Sequence, residues 1–162
     1  MISPSWNGSH GLVRRKIVLA TGVFDLLHLG HVRFLEESRK QGGPKARLFV
    51  IIARDATVLK RKGRLPILPE NDRRELVAAL RTVDDALLGH EGFDMLGVLN
   101  EVKPDIIAVG YDQGEIKRSV LALLKRQGLN IPVVQIAKFG PDGLNSSTKV
   151  KNRVAQKWTR KS

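Results

Sequence analysis

The sequence predicts an open, doubly wound α/β fold: a five-stranded parallel sheet with helices on both faces. Three observations carry this. The strand candidates are continuous apolar runs, such as Leu48 to Ala53 and Asp105 to Val109, rather than alternating ones, as expected when both faces of a parallel sheet are covered. They alternate with segments of helical period, giving β-α repeated along the chain. The segments richest in chemically capable residues follow the first and fourth strands, and ligands of such sheets sit beyond the carboxyl ends of the strands, where the order reverses.

The first strand is expected at about 15–21, where Ile17 to Ala20 is apolar and β-branched, and Gly22 ends it. A helix over about 29–41 follows, with Val32, Leu35 and Ser38 three apart, and Gly42-Gly43-Pro44 stops it. After the second strand, residues 55–68 read as a long basic loop holding Lys60-Arg61-Lys62-Gly63-Arg64. Pro69-Glu70 opens a helix over about 69–80, with proline in the first turn and acids behind it. Val83 to Leu88 is the third strand, and Gly92 to Val102 a helix ended by Pro104. The fourth strand leads into Gly110-Tyr111-Asp112-Gln113. A helix at about 115–127 closes at Gly128, Ile131 to Ile136 is the fifth strand, and a last helix starts near Ser146 after a Gly/Pro-rich loop. Residues 1–13 read as a loose leader, 14–157 as one domain, and 158–162 as a basic tail.

With 162 residues and 42% apolar content, the chain has enough material for one core. It has no cysteine, which excludes a disulfide framework, a thiolate metal site and a cysteine nucleophile. No apolar run approaches membrane-spanning length and no secretory h-region is present, so the expected location is the cytoplasm. The net charge of +12 favours anionic partners, either a polyanionic small molecule or nucleic acid. There is no G-x-x-x-x-G-K-[ST] and no G-x-G-x-x-G, which argues against a P-loop kinase or a dinucleotide dehydrogenase.

The chain is organised around Gly22-Val23-Phe24-Asp25-Leu26-Leu27-His28-Leu29-Gly30-His31. A spacing of three places His28 and His31 on one side of a helical turn. Gly30 between them lets an anion approach the backbone, and a helix start offers free N–H groups and partial positive charge. Two imidazole donors there suit a triphosphate and the charge that develops as it reacts. Asn145-Ser146-Ser147-Thr148-Lys149 begins the last helix; its hydroxyls fit an N-cap and equally a second anion site. Asp25 fits either a turn-capping role or a water-mediated metal contact or acceptor-orienting role. Asp112 is placed to meet nucleotide or acceptor, with Tyr111 on the acceptor side, and Gly110 allows close approach to a ring. His10 and His90 read as surface residues.

The Gly22–His31 stretch resembles the H-x-G-H element of the nucleotidyltransferase superfamily, whose fold is Rossmann-like, and the resemblance extends over about residues 16–150. Ile51-Ile52-Ala53-Arg54-Asp55 through Pro69-Glu70-Asn71-Asp72-Arg73-Arg74, then Val83-Asp84-Asp85-Ala86-Leu87-Leu88-Gly89 and Gly110-Tyr111-Asp112-Gln113, is most similar to the archaeal-type FAD synthases. These cytidylyltransferase-like enzymes join FMN and ATP, giving FAD and pyrophosphate. The resemblance implies a catalytic set of His28, His31 and Lys60. It implies nucleotide contacts by Thr21, Gly22, Val23, Phe24, Gly30, Lys62, Arg73, Gly110, Asp112, Ser146, Ser147 and Thr148. It further implies Mg²⁺ or a similar divalent ion, ATP and FMN as small-molecule partners, and a homodimer. Asn145-Ser146-Ser147-Thr148 is similar to the family's late I-S-T-T or S-S-T element.

Glycerol-3-phosphate cytidylyltransferases share the core motifs. The arginine that precedes their I-S-T-T element has no clear counterpart here, where the nearest basic residue is Lys138. The cysteines often found near the end of archaeal FAD synthases are also absent. Class I aminoacyl-tRNA synthetases use a similar H-x-G-H, but this sequence has no K-M-S-K-S. A non-catalytic nucleic-acid-binding module therefore rests on charge alone.

Overall fold

The structure is a computed structural model that describes residues 14–139, 143 and 145–159. The leader expected over 1–13, most of the Gly/Pro-rich loop and the last three residues of the basic tail lie outside them. The expected fold is present. Five strands, β1 (Ile17–Gly22), β2 (Arg47–Ile52), β3 (Asp85–Leu88), β4 (Ile106–Gly110) and β5 (Val133–Ile136), form one sheet in the order β3-β2-β1-β4-β5, and every pairing is parallel. The helices are α1 (Leu29–Lys40), α2 (Asp55–Lys62), α3 (Glu70–Ala78), α4 (Met95–Val102), α5 (Gly114–Gln127) and α6 (Ser147–Thr159).

The period of two along each strand divides the core between the two faces. Val18 and Ala20 of β1 point into one cluster, with Leu35 of α1 and Val77 of α3. Leu19 between them points into the other, with Val98 and Leu99 of α4 and Val120 and Leu124 of α5. Both faces are sealed, which is why the strands carry no polar alternation. No helix among the described residues is long and apolar enough to cross a membrane.

Two local expectations are corrected. The basic stretch after β2 is not a loop throughout: residues 55–62 form α2. Lys and Arg are good helix formers and suit the negative end of the helix dipole, so Lys60, Arg61 and Lys62 complete the helix. Gly63, at φ 68°, caps it in the left-handed conformation. At its start the Asp55 N–H is satisfied from another element, by the Glu70 carboxylate at 2.7 Å, a cap invisible to local pattern. The helix expected from Gly92 is likewise broken: Glu91–Phe93 make a short 3₁₀ turn with Gly92 at φ 68°. Helix α4 restarts behind Asp94, whose side chain accepts from the Gly97 N–H at 2.9 Å.

Candidate active site

A cleft of about 500 Å³ opens beyond the carboxyl ends of the strands, lined from the β1–α1 loop, α2, the segment after β4, and the start of α6. It lies at the topological switch. Strands β1 and β4 pair from Val18–Ile106 as far as Ala20–Ala108; beyond these, β1 follows β2 to Gly22 and β4 follows β5 to Gly110. The sheet splits there, and the split is the floor of the cleft.

The β1–α1 loop is held by strain and counter-support. Phe24 and Leu26, on either side of Asp25, have φ of 54° and 50°, a conformation that costs a non-glycine residue about 1 kcal/mol or more. The Phe24 ring is 2% exposed and lies across Gly22, where a Cβ would come within 2.6 Å of it; this is why the motif begins with glycine. Asp25 is turned inward and ties three segments together. Its carboxylate accepts from the Ile67 and Leu68 N–H groups at 3.1 Å and from Lys151 Nζ of α6 at 2.7 Å. Its carbonyl accepts from the Ser147 hydroxyl. Burial alone would raise the Asp25 carboxyl; the bonds from Lys151, Leu68 and Ile67 outweigh it and hold it below its ordinary value.

His28 and His31 stack with ring centroids 3.7 Å apart and planes inclined by 23°, and Phe24 backs His31 at 5.2 Å. Burial lowers the His28 imidazole, and burial together with neighbouring His28 pushes His31 down to about 3. Both rings are therefore neutral near pH 7, each with one N–H and one lone pair. The Nδ1 atoms of both, and the Thr21 hydroxyl, are buried without a hydrogen-bond partner among the described residues.

The starts of α1 and α6 meet at this point. A Cβ on Gly30 would stand 2.6 Å from the Asn145 carbonyl oxygen, so glycine here is required for the contact between the two helix starts. Neither helix has an acid in its first turn, which leaves both positive ends uncompensated toward the cleft. Ser146 caps α6, its hydroxyl accepting from the Lys149 N–H at 3.3 Å, so capping and exposure to the cleft coexist there.

Most residues expected at the site are brought together: Thr21, Gly22, Val23, Phe24, Asp25, His28, Gly30, His31, Lys62, Gly110, Tyr111, Asp112, Ser146, Ser147 and Thr148 all line the cleft. Two do not. Lys60 lies on the outer side of α2, facing an adjoining depression with Thr57, Glu91 and Ser119. Arg73 is fully buried beneath the site, its guanidinium donating to the carbonyls of Leu68 (3.0 Å), Val23 (2.5 Å) and Ala53 (2.7 Å) and pairing with Asp55 at 2.7 Å. It clamps the strained loop from below rather than facing a ligand. Arg61, Arg64, Gln113 and Lys151, none of them expected individually as site residues, also line the cleft. The two arginines flank Lys62 in the basic run of the sequence; Lys151 reaches the cleft because α6 lies against Asp25, 126 residues away in the chain.

Comparison with known proteins agrees with this geometry. Residues 19–153 match the family described as cytidylyltransferase-like. The FAD synthase of Thermoplasma volcanium is 45% identical over 140 residues, 86% of this chain and 94% of that protein. The FAD synthase of Methanothermobacter thermautotrophicus is 47% identical over 139 residues, covering 86% and 91%. A crystal structure from Thermoplasma volcanium, described as a lipopolysaccharide core biosynthesis protein, superposes with a TM-score of 0.71 at 44% identity, over 78% of this chain and all of the other. The pantoate–β-alanine ligase of Francisella tularensis, at 16% identity and a TM-score of 0.62, covering 85% of this chain and 65% of its own, shares the fold alone. With the family matched over most of its length and relatives at this identity across nearly their whole chains, the protein belongs to the cytidylyltransferase-like nucleotidyltransferases.

Proposed function

We propose that the chain is an FMN adenylyltransferase, an FAD synthase that transfers AMP from ATP to FMN. A phosphate oxygen of FMN attacks the α-phosphorus of ATP; that O–P bond forms, the bond from the α-phosphorus to the α,β-bridging oxygen breaks, and pyrophosphate leaves in line. No protein nucleophile is required, so the protein's work is to position two anions and neutralise the charge that shifts onto the leaving group.

The observation that carries the reading is the contact between the starts of α1 and α6 across Gly30 and Asn145, with the neutral His28–His31 stack beside it. Two uncompensated helix ends, two imidazole N–H donors and the cations of α2 surround one place where a polyphosphate fits. Lys62 lies close enough to His31 to oppose its protonation, which supports a role at the same phosphate group. Tyr111 and Asp112, on the opposite lip, are left for the acceptor.

A divalent ion belongs to the proposal as a companion of the nucleotide. Among the described residues no group of three or more His, Cys, Asp or Glu could hold a metal, and the Asp25 carboxylate is already engaged by Ile67, Leu68 and Lys151. A resident protein-held ion does not fit these residues, and Mg²⁺ is commonly carried by substrate phosphates. A homodimer belongs to the same reading on the resemblance alone; light scattering tests it.

The test is pyrophosphate release in Mg²⁺ buffer with ATP or CTP, each paired with FMN or glycerol 3-phosphate. Release with ATP and FMN, yielding FAD, is expected. Release confined to CTP and glycerol phosphate would replace the activity with the cytidylyl alternative, and no release in any pairing would remove both.

A further inference from the structure

The split between β1 and β4 is bridged by a side chain that no part of the reading above employs. Beyond Ala20 and Ala108 the two strands no longer pair, so the Thr21 carbonyl and the Gly110 N–H, which the next rung would join, lie across an open seam. Gln113 spans it. Its Oε1 accepts from the Gly110 N–H at 2.7 Å and its Nε2 donates to the Thr21 carbonyl at 2.9 Å. The partners dictate the amide's orientation: an N–H requires the oxygen and a carbonyl requires the nitrogen. A second amide supports the next two peptides of the same lip. Gln135 Nε2 donates to the carbonyls of Gly110 (3.4 Å) and Tyr111 (3.1 Å), and its Oε1 accepts from Lys117 at 3.2 Å.

We propose that Gln113 is a positioning residue whose side-chain amide stands in for the missing rung between β1 and β4 and fixes the spacing of the two lips of the cleft. One lip, through Thr21 and Gly22, leads to His28 and His31; the other, through Gly110, carries Tyr111 and Asp112. The inference rests on the proposed reaction, in which the two lips hold different parts of the reacting pair. Each lip keeps its own contacts when the bridge is cut, so substrate binding is largely retained. What is lost is the alignment of one bound group with the other, and a misplacement of about 1 Å costs on the order of a hundredfold in rate. The effect therefore falls on kcat rather than KM.

The experiment compares Gln113→Met, which removes both bonds at similar length, with Gln113→Glu, which keeps the acceptor for Gly110 but cannot donate to Thr21 when ionised. Steady-state kinetics, melting temperature and amide hydrogen exchange at Gly110 are measured on the full chain. For Gln113→Met the expectation is a kcat lowered at least about tenfold, a KM for ATP within about threefold of wild type, and Gly110 exchange about tenfold faster or more. Gln113→Glu should lose kcat while keeping Gly110 protected. Wild-type kcat in Gln113→Met, a raised KM with kcat unchanged, unchanged Gly110 exchange, or a fall in melting temperature large enough to explain the lost rate would each overturn the inference. If the wild-type chain made no FAD, the proposed reaction would fail, while Gly110 exchange would still read the bridge independently.

Discussion

Substituting Gly30 by alanine is the sharpest perturbation the site offers. The added methyl would lie 2.6 Å from the Asn145 carbonyl oxygen and 3.0 Å from the His28 ring, where ordinary contact begins near 3.4 Å. The histidine ring can turn, but a backbone carbonyl at the start of α6 cannot. The starts of α1 and α6 must therefore separate by the difference, roughly 0.8 Å, along the line joining the two helix ends that flank the phosphate site. Alanine is the better helix former by about 1 kcal/mol, which offsets part of an overpacking cost of about 1–3 kcal/mol. Net stability should fall by no more than about 2 kcal/mol, or about 4–8 °C in melting temperature for a domain of this size. The reaction should suffer far more, by about fiftyfold to a hundredfold in kcat, because positioning is what the site contributes. Pyrophosphate release and differential scanning calorimetry on the same preparation separate the two effects. A Gly30→Ala protein within threefold of wild-type kcat would refute the argument that the contact between the helix starts sets the geometry.

Arg73→Met should lower stability by about 3–5 kcal/mol, read by urea denaturation, because it strands the Asp55 carboxylate and the carbonyls of Leu68, Val23 and Ala53. A raised KM for ATP with unchanged stability would instead return Arg73 to the phosphates. Lys62→Ala should cut kcat/KM for ATP at least about tenfold and Lys60→Ala less than about threefold, since only Lys62 lines the cleft; the reverse order would sink the placement of α2. The pH dependence of stability follows from His31. Below its ordinary value of 6.5 the unfolded chain binds a proton that the native ring refuses until about 3, so stability should fall as pH drops through that window. At pH 5 this one group accounts for about 2 kcal/mol relative to pH 7.5, and His31→Gln should flatten that slope in urea titrations. Because both imidazoles are already neutral in the free protein, kcat/KM for ATP should not decline between pH 6.5 and 8.5. A tenfold fall per pH unit there would mean that an imidazolium is required.

The sequence by itself determined the layers and the location of the chemistry. Continuous apolar strands report burial on both faces, the alternation with helical periods reports a parallel sheet, and Gly22 through His31 marks the start of α1 because a strand end, a turn glycine and a helix start are all local signals. The line of residues from Thr21 to Gly30 reached the cleft together because the backbone carries them there in sequence. Only the tertiary structure decided the roles of the residues whose partners are distant in the chain. Arg73, expected among the phosphates, is spent on Val23 and Ala53, 50 and 20 residues away. Asp25 meets Lys151 126 residues on, and Gln113 meets Thr21 92 residues back. Residues 55–62 became a helix because Glu70 supplies its cap from outside and Gly63 closes it, against the look of a solvated basic loop. A side chain's chemistry is written in its own identity. Whether that chemistry faces a ligand or is consumed by the protein depends on which carbonyls, carboxylates and amides the folded chain brings within hydrogen-bonding distance, and that is settled only in the tertiary structure.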